Sequence, residues 1–270
     1  MFYQSIRIQI AIITKLINNT KFKIDKGDHL LDTHTHILWN IDDGSKNQCM
    51  SLQMLEIAAR SGTKAIFATP HVIERANKPS WEEIKEKTQQ LRQLCAEAQI
   101  DIMLYPGAEV QMNWELLPEL GATGAYCLNG GRYLLIELPA AEIPAYADEF
   151  WYELELKGIT PILAHPERYQ QLRENPDLLL LWRRRGMLMQ CNSGSFTGMF
   201  GSSVCENAKV LLANGLVDLL GSDGHRSEGR NTDMSRAAAV IRQLAGEEVL
   251  RELTETNPQA ILKNQEIELK

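Results

Sequence analysis

Short apolar runs that end in histidine or a carboxylate recur along this chain, and they restrict its fold more than any other feature. Five of the six histidines lie in four segments that each close such a run: Asp32-Thr33-His34-Thr35-His36, Thr69-Pro70-His71, Ala164-His165-Pro166-Glu167-Arg168 and Ser222-Asp223-Gly224-His225. Only His29 falls outside them. Scattered core histidines have no reason to choose the same place in a repeating unit. Histidine is also the commonest metal ligand and the usual acid or base near neutral pH. The pattern points to a site for several metal ions at the rim of a barrel.

The rest of the chain supplies the barrel. Candidate strands cover 29–34, 65–69, 102–109, 132–138, 160–165, 187–192 and 217–222. Candidate helices cover 49–61, 80–98, 113–120, 144–157, 175–185, 202–214, 232–244 and 246–263, the last broken near Pro258. Strands that alternate with helices imply parallel βαβ units. A chain of 270 residues suits one α/β barrel or two small domains, and no Pro/Gly/Ser-rich linker divides it. We therefore expect an α/β fold with seven strands closed into a (β/α)7 barrel.

Each expected strand delivers a polar group to the C-terminal rim, where parallel barrels carry their chemistry. His34 and His36 end the first strand, and residues i and i+2 of a strand point the same way, so both imidazoles can hold one ion. His71 follows the second strand, Glu109 ends the third and Glu137 lies near the end of the fourth. His165 ends the fifth, Asn192 and Ser193 the sixth, Asp223 and His225 the seventh. An ionised Glu109 or Glu137 in an apolar strand needs a metal or a buried arginine as partner. Asp42 and Asp43 precede Gly44 in a loop; Asp42 reads as turn chemistry and Asp43 as a further candidate ligand. The mixture of imidazoles and carboxylates suits Mn, Fe or Zn in two or three ions that share a carboxylate. Such a cluster makes a hydroxide available near neutral pH and neutralises a phosphate. Arg168 and Arg230 stand on loops at the same rim, and a guanidinium suits bidentate recognition of phosphate. The stretch from Asn192 to Gly198 reads either as backbone donors for an anion or as an ordinary Gly/Ser loop.

Other chemistry is excluded. The cysteines at 49, 95, 127, 191 and 205 have no CxxC spacing and are odd in number, as expected of free thiols in a reducing compartment. A cysteine phosphatase places arginine six positions after its nucleophile, but Leu55, Asp101, Tyr133, Thr197 and Leu211 stand there. Without a Gly-Lys dipeptide there is no P-loop. The net charge of −7 argues against nucleic acid as a general partner. The apolar stretch from Ile6 to Ile17, interrupted by Arg7, Gln9 and Lys15, is too short to span a membrane, and the expected location is the cytoplasm.

Taken together, His34-Thr35-His36, the Asp42-Asp43-Gly44 loop, Thr69-Pro70-His71, Gly107-Ala108-Glu109, Ile136-Glu137, Ala164-His165-Pro166-Glu167-Arg168 and Ser222-Asp223-Gly224-His225 resemble the polymerase-and-histidinol-phosphatase (PHP) superfamily. Within it the chain is most similar to the manganese-dependent protein-tyrosine phosphatases of bacterial capsule and exopolysaccharide systems. Ile41-Asp42-Asp43-Gly44, His165-Pro166-Glu167-Arg168 and Asn192-Ser193-Gly194-Ser195 followed by Phe200-Gly201 carry that narrower likeness. The resemblance begins near Asp32 and implies an N-terminal extension at 1–28 and a PHP-type metallophosphatase domain at 29–270. It implies a distorted seven-stranded barrel and three ions: one on His34, His36, Glu109 and Asp223, a second on Glu109, Glu137 and His165, a third on Asp43, His71 and His225. Arg168 and Arg230 match phosphate-holding positions, and His71 or His225, or water on its ion, protonates the leaving group. Val72 stands where many members carry a basic or polar residue. The implied substrate is a phosphotyrosine protein, a tyrosine kinase of polysaccharide export; association into oligomers stays open. The rival readings are hydrolysis of histidinol phosphate on the same metals, a nuclease, a metal-dependent amidohydrolase, which would need a bridging strand-end lysine, and a non-catalytic binding module.

Overall fold

The computed structural model of the protein describes residues 29–121 and 124–269. The expected extension at 1–28, with its apolar stretch, lies outside the described residues. Strands form at each of the seven apolar runs, β1 (Leu30–Thr35), β2 (Thr63–Ala68), β4 (Met103–Pro106), β6 (Tyr133–Glu137), β7 (Thr160–Ala164), β8 (Leu188–Asn192) and β9 (Leu219–Gly221), and two short ones, β3 (His71–Val72) and β5 (Glu109–Gln111), follow the second and third runs. All pair in parallel, β1-β2-β4 in one sheet and β3-β5-β6-β7-β8-β9 in the other.

These nine segments make seven staves, because two staves are broken. β2 continues as β3 after Thr69-Pro70, where proline has no N–H to offer the ladder. β4 continues as β5 after Gly107-Ala108. Pairing resumes across the break through Gly107 N to Ala68 O at 3.0 Å and Glu109 N to Pro70 O at 3.0 Å. Glu109 therefore opens a strand instead of ending one, and lies in register with His71. The ring closes between β9 and β1, where Thr35 bridges Gly224. Asp223 N donates to His34 O at 2.7 Å, and Asp32 Oδ1 accepts from Ser222 N at 2.8 Å.

Alternation along the strands splits the apolar residues into two layers. Leu134, Ile136, Leu163, Met189 and Leu220 face the helices. Tyr133, Leu135, Ile162, Ala164, Leu188 and Leu219 face the barrel interior with Phe67, and Ile261 of the C-terminal helix plugs the bottom. Each Leu, Ile, Met or Phe among them, fully buried, contributes ~1.5–3 kcal/mol. Gln190 lies two residues beyond Leu188 and so also points inward, toward the rim.

The helices follow their sequence signals. Asn47 Oδ1 caps Gln48–Arg60 by accepting from Met50 N, and Ser80 Oγ caps Trp81–Glu97 by accepting from Glu83 N. The helix expected at 113–120 is a 3-10 helix, Trp114–Glu119, with Pro118 inside it. The last helix breaks as a π-turn, Glu252–Thr256, just before Pro258. Among the described residues, no helix is long and apolar enough to cross a membrane.

Candidate metal centre

β1 is buried along its whole length and delivers His34 and His36 side by side, both fully buried. Their Nε2 atoms stand 3.1 Å apart. The other ring nitrogens are held: His34 Nδ1 lies 2.8 Å from Gln190 Oε1, and His36 Nδ1 lies 2.7 Å from Asp42 Oδ2. These two acceptors place the ring protons on Nδ1 and turn both Nε2 lone pairs to the centre. Asp42 also accepts from His71 N at 3.0 Å and Gly44 N at 2.9 Å. Gly44 is required here, because a Cβ would sit 2.2 Å from His36 O. The turn reading of Asp42 is therefore only half of its role. Gln190 was missed, although a glutamine inside an apolar strand signals a buried partner.

Glu109 sits at the middle. Its Oε2 lies 3.1 Å from His34 Nε2, 3.3 Å from His36 Nε2 and 3.0 Å from His71 Nδ1, while Oε1 lies 2.8 Å from His165 Nε2. Burial pushes its carboxyl up, but the charges of His34 and His71 and the His165 contact outweigh that and hold it well below the usual range. Asp223 Oδ1 faces His36 Nε2 at 3.3 Å and His34 Nε2 at 3.5 Å. Glu137 Oε1 lies 3.3 Å from His71 Nδ1. Asp43, at the exposed lip, reaches His225 Nε2 at 3.3 Å and His71 Nε2 at 3.7 Å. Burial disfavours the charged form of His71, but Glu109 raises its pKa to about 10. Burial and the neighbouring charge of His36 push His225 down to about 4.

All nine candidate ligands thus meet around one basin. Donor atoms converge in three groups: His36, Asp43, His71 and His225; His34, His36 and Asp223; His71, Glu109 and Glu137. These overlap the three expected sets without coinciding with them, and His165 joins through Glu109. The residues fit a cation on an independent observation. Buried Glu109 Oε2, Asp223 Oδ1, His71 Nδ1 and His225 Nε2 have no hydrogen-bond partner although they crowd one another. Orphaned buried polar atoms are costly; the carboxylate oxygens have lone pairs to give, and His71 offers one once its proton has left. No arginine pairs with Glu109 or Glu137 among the described residues.

The basin opens into a cavity of about 700 Å³ lined by His71, Glu109, His165, Arg168, His225 and Arg230. Arg168 Nη1 donates to Asp223 Oδ2 at 3.1 Å, and Arg230 Nη2 donates to the same oxygen. Asn192 Nδ2 donates to it too, at 2.6 Å. The two arginine side chains are about a third exposed at the cavity wall. Two site residues, His165 (φ 37°) and Asp223 (φ 53°), hold left-handed backbone. The stretch from Asn192 to Gly198 is not an open loop, and Asn192 N and Ser195 Oγ donate to the Glu167 carboxylate at 2.9 and 2.6 Å. Ser193–Phe196 is a buried helical turn, and Thr197 N, Gly198 N and Met199 N bond back to Gly194 and Ser195 carbonyls. None of the five cysteines lines the cavity. A cavity of about 760 Å³ at the opposite end of the barrel holds no histidine.

Residues 30–263 match the family described as capsular polysaccharide synthesis, CpsB/CapC. Tyrosine-protein phosphatase YwqE of Bacillus subtilis is 34% identical over 238 residues, 88% of this chain and 93% of that protein. Tyrosine-protein phosphatase CpsB of Streptococcus pneumoniae is 29% identical over 241 residues, 87% of this chain and 99% of that protein. A crystal structure of these phosphatases, described as unique metal-dependent tyrosine phosphatases, superposes with a TM-score of 0.85 at 33% identity, covering 89% of this chain and 97% of the other. Histidinol phosphate phosphatase of Lactococcus lactis, solved with zinc, L-histidinol and phosphate, shares the fold with a TM-score of 0.53 at 16% identity, covering 81% and 94%.

Proposed function

The chain belongs to the CpsB/CapC family of capsular polysaccharide synthesis, and from that we propose that it is a metal-dependent protein-tyrosine phosphatase acting in the cytoplasm on a tyrosine kinase of the same system. The observation that carries the reading is the convergence of five imidazoles and four carboxylates, several of their atoms buried and unpartnered, beside two arginines.

His34, His36, Glu109 and Asp223 would hold one divalent ion, Glu109, Glu137 and His165 a second, and Asp43, His71 and His225 a third; manganese is the expected metal, with iron or zinc compatible with the donors. Bound ions supply the Lewis-acid field that acidifies a water and offsets phosphate charge. The protein does the rest. Asp42 and Gln190 fix the ring protons of His36 and His34 on Nδ1. Arg168 and Arg230 offer guanidinium N–H groups to the phosphate oxygens, and Asp223 Oδ2, itself held by Asn192, keeps them together. A ring nitrogen that holds an ion carries no proton, so the ligand roles of His71 and His225 exclude an acid role at the same atom. A phenol of pKa ~10 is a good leaving group and needs only water as proton source.

Metal analysis of the purified protein, with turnover of phosphotyrosine peptides and of histidinol phosphate before and after chelation, tests this. The expected result is bound manganese, loss of turnover on chelation, recovery with manganese and preference for the peptide. Full activity after exhaustive chelation refutes the metal reading. Preference for histidinol phosphate refutes the substrate reading.

A further inference from the structure

Phe200 is not used by the site as described, yet it touches both of its arginines. Arg168 follows β7, Phe200 comes from the loop after β8 and Arg230 follows β9, so three neighbouring staves bring them together. The ring centroid lies 4.7 Å from Arg168 Cζ and 5.6 Å from Arg230 Cζ, both within the reach of a cation–π contact. The arginines need such a partner. They share one oxygen of Asp223, so two like charges are held together by one opposite charge. Their side chains are 32% and 30% exposed at the cavity wall. Arg230 Nε is buried without a hydrogen-bond partner, a donor still to be used.

The ring is placed from below by Gly194. A Cβ there would lie 3.1 Å from Phe200 Cε2 and 2.9 Å from Met199 Sδ, so an added methyl presses on the edge of the ring that faces the arginines. The bonds of Gly198 N to Ser195 O at 3.3 Å and Met199 N to Gly194 O at 2.9 Å fold the segment back over that glycine.

We propose that Phe200 is a positioning residue that sets the planes of Arg168 and Arg230 for a phosphate monoester, and that Gly194 sets Phe200. The inference rests on the reading of the two arginines as phosphate ligands. Inorganic phosphate reports on it directly, as a competitive inhibitor of phosphotyrosine-peptide hydrolysis by the metal-loaded enzyme. Leucine keeps apolar bulk but lacks the ring quadrupole, so Phe200→Leu should raise both KM and the phosphate inhibition constant by about tenfold, the size of one cation–π pair. Metal per chain should not change. Phe200→Tyr keeps the ring and should keep the wild-type constants. Gly194→Ala should move both constants in the same direction as Phe200→Leu, by less. Arg168→Ala separates the two levels of the argument. If it weakens phosphate inhibition and Phe200→Leu does not, Phe200 has no positioning role. If Arg168→Ala itself leaves phosphate inhibition unchanged, the arginines do not hold phosphate, and the inference falls with that reading. Loss of metal in Phe200→Leu would make the ring a packing element and overturn the proposal.

Discussion

Asp42→Asn changes one heavy atom and, on this geometry, moves a proton. The carboxylate accepts three hydrogen bonds: His36 Nδ1 at 2.7 Å and His71 N at 3.0 Å on Oδ2, and Gly44 N at 2.9 Å on Oδ1. An amide has one acceptor oxygen. Turned toward Gly44, it presents NH2 to His36 Nδ1 and to the His71 N–H. His36 can then only accept at Nδ1, so its proton shifts to Nε2, the atom that faces Glu109 and Asp223. Turned the other way, the NH2 opposes the Gly44 N–H. Either orientation leaves a buried donor unmatched, at ~1–3 kcal/mol, and loses a bond to a charged group, at ~1.5–3 kcal/mol. With ~3 kcal/mol, near the low end of the sum, and ~1.36 kcal/mol per decade, catalytic efficiency should fall about a hundredfold. Outer partners of metal-bound histidines show losses of ~10–100-fold. Asp42→Ala lets water serve the same groups, so it should be no worse than the isosteric change. The assay is kcat/KM on a phosphotyrosine peptide at saturating manganese, with metal per chain by mass spectrometry. An Asp42→Asn enzyme with wild-type kcat/KM and metal content would refute the argument that Asp42 sets the tautomer.

Glu109→Gln should lose more metal per chain than Asp43→Asn, because Glu109 stands against four imidazoles and Asp43 reaches two from an exposed position; equal losses by mass spectrometry would remove its central role. Arg168→Ala and Arg230→Ala should each lower kcat/KM about ten- to a hundredfold, from ~1.5–3 kcal/mol per charged hydrogen bond, with lysine a partial rescue. Metal content should hold, since Asp223 keeps Asn192 and its Oδ1 faces the histidines; near-normal kinetics would leave them as solvated loop arginines. In chelator, thermal stability should fall as pH rises from 6.5 toward 10. The pKa of His71 is raised from 6.5 to about 10, so its stabilising proton is fully present below the lower value and lost through the upper one. Manganese uptake near pH 7 should then release protons, from His71 and from His36, whose pKa is also raised, and calorimetry in buffers of different ionisation enthalpy reads that release; uptake without proton release would contradict the electrostatics.

The staves were legible because each is a nearly unbroken apolar run, a property of neighbouring residues. The breaks at Thr69-Pro70 and Gly107-Ala108 were not, because they depend on pairing between staves. That is why Glu109 was expected at a strand end and not at a strand start. The candidate site was legible as a set of strand-end donors, and the geometry brings all of them to one basin. Its support was largely hidden. Gln190 meets His34 across 156 residues, and nothing local to either announces the contact. Asp42 carried a turn signal that is itself true, since Gly44 N bonds to it, and that truth masked the bond to His36. The Gly/Ser composition after β8 reads as loop, but burial of Ser193–Phe196 wins over propensity and makes a helical turn.

The barrel closes where the site stands. Ser222 and His34 touch across 188 residues of chain, and Arg226 ties the loop of Asp43 and Gly44 to the segment of His225. A ligand gripped by His34 and His36 on one side and by Asp223 and His225 on the other is therefore also a latch between the first stave and the last. At a thousand times its dissociation constant such a ligand adds ~4.1 kcal/mol against unfolding. The joint between β9 and β1 has one bridge, Thr35 to Gly224, where the other staves pair as ladders, and a barrel opened there would bare β1 as a strand edge. Synthesis runs from β1 to β9, so a growing chain holds His34 and His36 long before Asp223 exists. The basin is then complete only when the last stave has been made, before the C-terminal helices that carry Ile261.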